Sequence, residues 1–208
     1  MARYTGAVCR LCRRQGEKLF LKGPKCVGPK CAMAKRPVPP GQHGQSRVKL
    51  SNYGMQLREK QKVKRMYGVL ERQFRRYFVI ASKTKGVTGK VLLQLLERRL
   101  DNVVFRMGLG VSRAQARQIV RHNLICVNSR RVNIPSFLVK KEDVVEAKTK
   151  ESPMKKLKEN LELSKDRTVP AWLEFNTEKC NAKVLRLPEK NDISDTIREQ
   201  LIVELYSK

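Results

Sequence analysis

Acidic residues are what this sequence is shortest of. Its 19 Asp and Glu stand against 46 Lys and Arg, a formal net charge of +27 over 208 residues. The deficit is uneven. Residues 1–50 carry 12 basic residues against 1 acid, residues 51–100 carry 13 against 3, and residues 101–150 carry 10 against 4, whereas residues 151–208 balance 11 with 11. Self-repulsion on this scale destabilises a compact state unless a polyanion neutralises it. Nucleic-acid phosphate is the usual polyanion, because binding it releases condensed counterions. A merely solvated surface mixes both signs. A membrane-surface helix gathers its charge on one amphipathic element with Trp or Phe opposite, and here the charge spreads over many elements.

Other absences narrow the class. No stretch approaches the roughly 20 apolar residues of a membrane span, and Met1-Ala2-Arg3-Tyr4-Thr5-Gly6 lacks the apolar core of a signal peptide. The expectation is a cytosolic protein with no membrane partner and no homo-oligomer. There is no carboxylate pair, Cys–His dyad or Gly-rich phosphate loop to suggest catalysis. Gly108-Leu109-Gly110 lacks the third glycine and the preceding strand of a dinucleotide fingerprint. With 40% hydrophobic residues the chain is long enough for one or two domains with a real core.

Six cysteines fall into two classes. Cys9-x2-Cys12 and Cys26-x4-Cys31, 13 residues apart, are two close thiolate pairs able to surround one tetrahedral cation. Gly23-Pro24 and Gly28-Pro29 are turn dipeptides that re-aim the second pair. Arg10, Arg13, Arg14 and Lys25 would offset the charge of four thiolates. A segment this basic has little apolar material, so bound metal would supply its folding energy. Structural zinc on Cys9, Cys12, Cys26 and Cys31 is the leading expectation; an iron–sulfur cluster, two disulfides and four free thiols are the alternatives. His43 could replace a thiolate but reads better as an RNA contact. Cys126 and Cys180, isolated in apolar surroundings, read as small buried hydrophobes.

Periodicity outlines the elements. Residues 32–50, with Pro37-Val38-Pro39-Pro40-Gly41, read as loop ending in a basic arm. A helix is expected from Ser51 to Met66, capped by Ser51 or Asn52, with Arg58, Lys60, Lys62, Lys64 and Arg65 on its polar face. A second runs from Val69 to Ala81; Leu70, Phe74, Tyr77 and Phe78 form its inner stripe, and Arg72, Arg75 and Arg76 face elsewhere. Thr88 caps a helix over 89–99 with Val91, Leu92, Leu95 and Leu96 inward and Arg98 and Arg99 at its end. Asp101 reads as the N-cap of a short helix through Met107. Ser112 opens the next helix, with Gln115 completing a capping box and Ala116, Ile119 and Val120 facing in. Arg113, Arg117 and Arg121 recur every four residues as one slanted stripe that no acid balances. Residues 124–127 and 132–134 read as a hairpin around Asn128-Ser129-Arg130-Arg131, a compact phosphate grip. Residues 144–147, 172–175 and 182–187 read as strands, and 154–164 and 197–206 as helices, the last suited to packing on protein.

Arg99-Leu100-Asp101-Asn102-Val103-Val104-Phe105-Arg106-Met107-Gly108, Ser112-Arg113-Ala114-Gln115-Ala116-Arg117-Gln118, Val127-Asn128 and Val132-Asn133-Ile134-Pro135 resemble the small RNA-binding domain named after bacterial small-subunit ribosomal protein four. Pseudouridine synthases, tyrosyl-tRNA synthetases and some regulators also carry that domain. Further segments resemble the ribosomal family itself, from one end of the chain to the other: Pro39-Pro40-Gly41-Gln42-His43-Gly44, Gln56-Leu57-Arg58-Glu59-Lys60-Gln61, Tyr67-Gly68-Val69-Leu70-Glu71 and Leu201-Ile202-Val203-Glu204-Leu205-Tyr206-Ser207.

The resemblance implies an α+β protein in three parts. A zinc-stapled N-terminal segment and basic arm cover 1–50. A mostly helical body covers 51–97 and is completed by 165–208. An inserted αL-type RNA-binding domain of helices and short antiparallel strands covers 98–164. It also implies a non-enzymatic, primary rRNA-binding protein of the ribosome. Such proteins grip a helix junction in the 5′ domain of 16S-type rRNA and nucleate assembly of the 30S body. They affect decoding accuracy with small-subunit proteins five and twelve, and they line the path by which mRNA enters, where Arg47 and Lys49 match the basic arm. The residues expected to meet RNA are Arg3, Arg13, Arg14, Arg36, His43, Arg47, Lys49, Arg58, Lys60, Lys62, Arg72, Arg75, Arg76, Arg98, Arg113, Arg117, Arg121, Asn128, Arg130 and Arg131. In that family the hairpin turn usually reads Asn-Gly, so Ser129 leaves the turn type open. Two alternatives remain: a pseudouridine synthase, whose catalytic triplet Arg99-Leu100-Asp101 echoes, and a zinc-dependent DNA-binding regulator.

Overall fold

The computed structural model of the protein describes residues 3–45, 49–148, 150–165, 167–193 and 197–207. The chain divides into two compact units, residues 1–92 with 195–208 and residues 93–194. Among the described residues no helix is long and apolar enough to cross a membrane.

The first unit is helical. Helix α1 (Cys9–Gln15), a 3-10 turn (Gly23–Cys26) and α2 (Ala32–Lys35) precede α3 (Asn52–Met66) and α4 (Glu71–Lys83). The α2 turn corrects the expectation of unbroken loop over 32–50. Ser51 caps α3 as anticipated, its hydroxyl accepting the Gly54 N–H at 3.1 Å. Helix α4 starts two residues later than expected and buries Phe74, Tyr77 and Ala81, while Leu70 lies exposed before it. The C-terminal helix α9 (Glu199–Tyr206) completes this unit by packing on α3. Gln56 Nε2 donates to Glu204 at 2.8 Å. Tyr206 stacks on Phe78 at 4.5 Å between centroids, and its hydroxyl donates to Glu71 at 2.8 Å. Lys60 and Lys64 reach the same carboxylate at 2.7 and 2.9 Å. Burial pushes the Glu71 carboxyl upward, but hydrogen bonds from Lys60, Lys64 and Tyr206 outweigh it and hold the group at about 2.

Helix α5 (Thr88–Glu97) holds the boundary between the units. Thr88 is its first residue rather than its cap, and Leu93 joins Leu92, Leu95 and Leu96 among the buried residues.

The second unit packs α6 (Leu100–Arg106), α7 (Arg113–Arg121) and α8 (Glu151–Glu162) with a five-stranded antiparallel sheet in the order β2-β1-β3-β5-β4. The strands are β1 (Ile125–Val127), β2 (Arg130–Arg131), β3 (Val144–Ala147), β4 (Leu173–Asn176) and β5 (Asn181–Val184). Pairing of β3 with β5, Val145 opposite Ala182, carries the sheet past residue 164. Residues 165–193 therefore belong with the sheet and not with the helical body, which corrects the expected division. The core gathers Val103, Val104, Leu109, Val120, Ile125, Val139, Val145, Leu157, Trp172 and Val184 around one another. Trp172 is fully buried, and removing a ring of that size costs about 3–5 kcal/mol. The glycines that resembled half a nucleotide fingerprint are steric necessities: Gly108 has φ +82°, and a side chain on Gly110 would strike the backbone nitrogen of Ala116 at 2.9 Å.

The hairpin turn resolves as left-handed at both central residues, Asn128 at φ +48° and Ser129 at +64°, the pairing that suits a tight two-residue hairpin. Asn tolerates this region, whereas serine held there costs about 1 kcal/mol. Asn128 is further secured, its amide donating to Asp143 at 2.8 Å and its oxygen accepting the Val144 N–H at 2.9 Å. We expect Ser129→Gly to raise stability by up to about 0.5 kcal/mol after the added freedom of the unfolded chain is discounted. Ser129→Val should lower it. Urea unfolding of the two variants checks both signs.

Candidate nucleic-acid interface

The basic residues sort into those held by the fold and those left facing outward. Helix α7 shows why spacing alone mixes the two. Ser112 caps it, accepting the Gln115 N–H at 3.3 Å, but the Gln115 side chain accepts from Val111 at 2.9 Å, one residue before the cap, so the capping box is not closed. The stripe Arg113, Arg117, Arg121 is not unbalanced as expected. Arg117 is buried, 7% exposed, and pairs with Asp101 at 3.1 Å. Asp101 also takes two hydrogen bonds from Arg99, at 3.0 and 2.6 Å, and Arg99 is itself 1% exposed. Burial pushes the Arg117 guanidinium downward, opposed by Asp101 and aided by Arg99 and Arg121. Arg113 donates to the Asn102 amide oxygen at 2.8 Å and lies over the Phe105 ring at 4.4 Å. Of the three, Arg121 is exposed.

The expectation that Asp101 caps α6 does not hold. The helix begins at Leu100 with Arg99 before it, and Asp101 sits in the first turn as the counterion of two arginines. A carboxylate engaged in this way is structural, which removes the residue that supported the pseudouridine synthase alternative. Beside it, Glu97 is fully buried and accepts from Arg106 at 2.7 Å and from Asn102 at 2.7 Å. These long-range partners are the residues that sequence periodicity missed. The four-residue spacing shows that Arg113 and Arg117 share a face but not what that face meets.

Other anticipated contacts are likewise engaged. Lys62 is buried and pairs with Glu17 at 2.9 Å. Lys60 lies 5.3 Å from the centre of the Tyr206 ring as well as against Glu71. Arg13 donates to the Val38 carbonyl at 2.8 Å, Arg58 to the Arg14 carbonyl, and Arg98 to the Val139 carbonyl at 2.9 Å. Facing solvent are Arg3, Arg14, Arg36, His43, Lys49, Arg72, Arg75, Arg76, Arg121, Asn128, Arg130 and Arg131. Arg47 lies outside the described residues. In the second unit, Arg121 at the end of α7 and Arg130 and Arg131 beyond the turn present exposed guanidiniums. In the first, Arg72, Arg75 and Arg76 do so along α4.

Cys9 and Cys12 lie in α1, Cys26 closes the 3-10 turn and Cys31 precedes α2. None of the four is in a disulfide. Burial pushes Cys12 up, the Leu19 backbone N–H opposes this, and the other three cysteines add to the rise. Cys26 Sγ accepts the Lys22 N–H at 3.2 Å. Backbone N–H groups of Ala34 and Met33 hold Cys31 below its usual value. Among the described residues, no three His, Cys, Asp or Glu side chains are grouped as metal ligands.

The fold of the second unit and its arginine-bearing helix and hairpin define the class: the S4 domain family matches residues 98–145, and the Ribosomal protein S4/S9 N-terminal domain family matches residues 3–97. Relatives extend the likeness over the whole chain. Small ribosomal subunit protein uS4 of Acetivibrio thermocellus is 60% identical over 208 residues, and uS4A of Symbiobacterium thermophilum is 61% identical over 208, each covering 100% of both chains. The uS4 of Pelotomaculum thermopropionicum is 59% identical over 210 residues with the same coverage. The chain belongs to the uS4 family of small ribosomal subunit proteins.

Asp101→Asn removes the carboxylate charge that the buried guanidiniums of Arg99 and Arg117 share. We expect a loss of about 3–5 kcal/mol, read as a lowered urea midpoint of the second unit. An unchanged midpoint would show that the pair contributes nothing.

Proposed function

We propose that this chain is a structural, non-catalytic constituent of the small ribosomal subunit, and so of the cytoplasmic translation machinery, that binds small-subunit rRNA directly. The observation that carries the reading is the separation of its cations. Carboxylates pair with the buried Lys62, Arg99 and Arg117, and among the described residues Arg72, Arg75, Arg76, Arg121, Arg130 and Arg131 lie exposed with no acid in ion-pair reach. RNA duplexes are recognised chiefly by shape and by their backbones, and phosphate contacts set register without reading sequence. Guanidiniums on two helices and a pinned hairpin are suited to that task. The finer parts of the reading follow the family resemblance. They are a grip on a 5′-domain junction, nucleation of the 30S body, contact with protein five, influence on accuracy with proteins five and twelve, and Arg47 and Lys49 at the path of mRNA.

Chemical footprinting on small-subunit rRNA tests the reading, together with affinity against salt. With about six to ten phosphate contacts, binding should fall on the order of 10³–10⁵ between 50 and 200 mM salt. Protection confined to one multi-helix junction is expected. A flat salt dependence, or equal affinity for duplex DNA, would overturn the proposal and in the second case favour a DNA-binding regulator.

The donor chemistry around Cys9, Cys12, Cys26 and Cys31 supports structural zinc. The other three cysteines each act on Cys12, the Lys22 N–H meets Cys26 Sγ at 3.2 Å, and backbone N–H groups of Ala34 and Met33 hold Cys31 below its usual value, which favours its thiolate. Bound zinc would cross-link α1, the 3-10 turn and α2, elements with little core of their own. Metal analysis should find one zinc per chain. Cys9→Ser or chelation should unfold residues 1–50 while sparing 93–194, as read by proteolysis. An unaltered digest rejects the role, and absorbance near 400 nm would assign an iron–sulfur cluster instead.

A further inference from the structure

In the loop that joins α6 to α7, Gly108, Leu109 and Gly110 are buried, and a buried carbonyl needs a donor. The donors come from farther along the chain. Arg167 donates to the carbonyls of Phe105, Gly110 and Val111 at 3.1, 3.2 and 3.1 Å. Asn160, in α8, donates to the Leu109 carbonyl at 3.0 Å and accepts from the Gln115 amide at 3.2 Å. Gln115 in turn accepts the Val111 N–H at 2.9 Å. Two side chains thus clasp the loop, and both lie beyond residue 145, where the match to the S4 domain family ends.

The clasp acts where α7 begins. Val111 directly precedes Ser112, the cap of α7. The Arg167 guanidinium lies 4.1 Å from the centre of the Phe105 ring, and that of Arg113, the first residue of α7, lies 4.4 Å from the same centre. Burial pushes Arg167 downward, and the charges of Arg113 and Arg106 push it further. Carbonyl oxygens and the ring face are what answer that cation. The approach is close: a side chain on Gly108 would meet Leu161 at 3.3 Å and Ser164 at 3.5 Å. Asp101 holds the middle of α7 through Arg117. A helix held at one point can still swing; a second hold at its start fixes its direction. Recognition of folded RNA by shape needs that direction fixed.

We propose that Arg167 and Asn160 are positioning residues for RNA recognition, fixing the α6–α7 loop and through it the placement of α7 and its exposed Arg121, without meeting RNA themselves. This role rests on the rRNA-binding reading. It extends the RNA-recognising part of the chain to residue 167.

The test uses the full chain and three variants. Arg167→Lys keeps the charge but loses the planar fork that reaches several carbonyls at once. Arg167→Met loses both. Asn160→Ala removes the clasp from the α8 side. Affinity for small-subunit rRNA and for an unrelated RNA duplex is measured across a range of salt, below the melting transition of each variant. All three should bind rRNA several-fold more weakly and the duplex as the parent does. Their salt slopes should stay at the parent value, because no phosphate contact is lost. Lys165→Gln, an exposed charge beside the clasp, should leave the ratio of the two affinities unchanged. If Arg167→Lys binds as the parent does while Arg167→Met lowers the slope by about one, Arg167 is a phosphate contact and the proposal is overturned. An equal loss on both RNAs shows that the clasp supports folding and not register, which also overturns it. Unchanged preference in all three variants does the same. If the parent chain itself shows no preference for rRNA, the functional reading falls, and the positioning role with it.

Discussion

Scarcity of carboxylate governs this molecule. With 19 acids to set against 46 bases, folding can neutralise only selected cations, and it makes the buried Asp101 and Glu97 and the partly exposed Glu71 each serve more than one partner. Asp101 holds Arg99 and Arg117. Glu97 holds Arg106 and Asn102. Glu71 gathers Lys60, Lys64 and Tyr206. Such sharing is efficient but brittle: a buried pair adds little net stability over an apolar replacement, yet removing one partner strands the other. The elements that depend on these groups are the turn joining α5 to α6, the packing of α7 on α6, and the attachment of α9 to α3 and α4.

What is legible in the sequence is what is decided locally. Ser51 and Ser112 cap their helices because a hydroxyl three residues before an N–H needs no distant partner. The aromatic stripe of α4 and the apolar face of α7 follow from a period near 3.6, and the hairpin follows from its turn residues. Arg117 shows where that reasoning ends. Spacing assigns its side chain to RNA, whereas its counterion lies 16 residues earlier in the chain. Periodicity orders residues around one helix and carries no information about the acid on the next.

The expected division of the chain fails for the same reason. The net charge changes near residue 150, and a boundary at 164 follows the end of a helix. Strand pairing ignores both. Residues 181–184 add to β3 across almost forty positions of sequence because the alternation of Ala182 and Val184 inward matches that of Val145 and Ala147. The cost of closing a long loop grows only slowly with its length, so apolar burial decides the partner. The balanced charge of this C-terminal stretch fits that position: sheet-forming residues pack on protein and have no use for excess cation.

Two kinds of cation result, with different duties. Those held by carboxylate or carbonyl, such as Arg99, Arg117 and Arg98, tie α7 to α6 and residue 98 to the segment before β3. Those left outward, such as Arg121, Arg130 and Arg131, ride on elements whose positions the first set has fixed; the hairpin that bears two of them is pinned by Asn128 to Asp143 and Val144. Recognition by shape requires this arrangement, since phosphates at a folded junction have definite spacings and only guanidiniums at definite spacings can discriminate them. A loosely held cation gains the same counterion release but no register. The interior pairs, which never touch a ligand, are thus what would turn a large non-specific affinity into recognition of one surface.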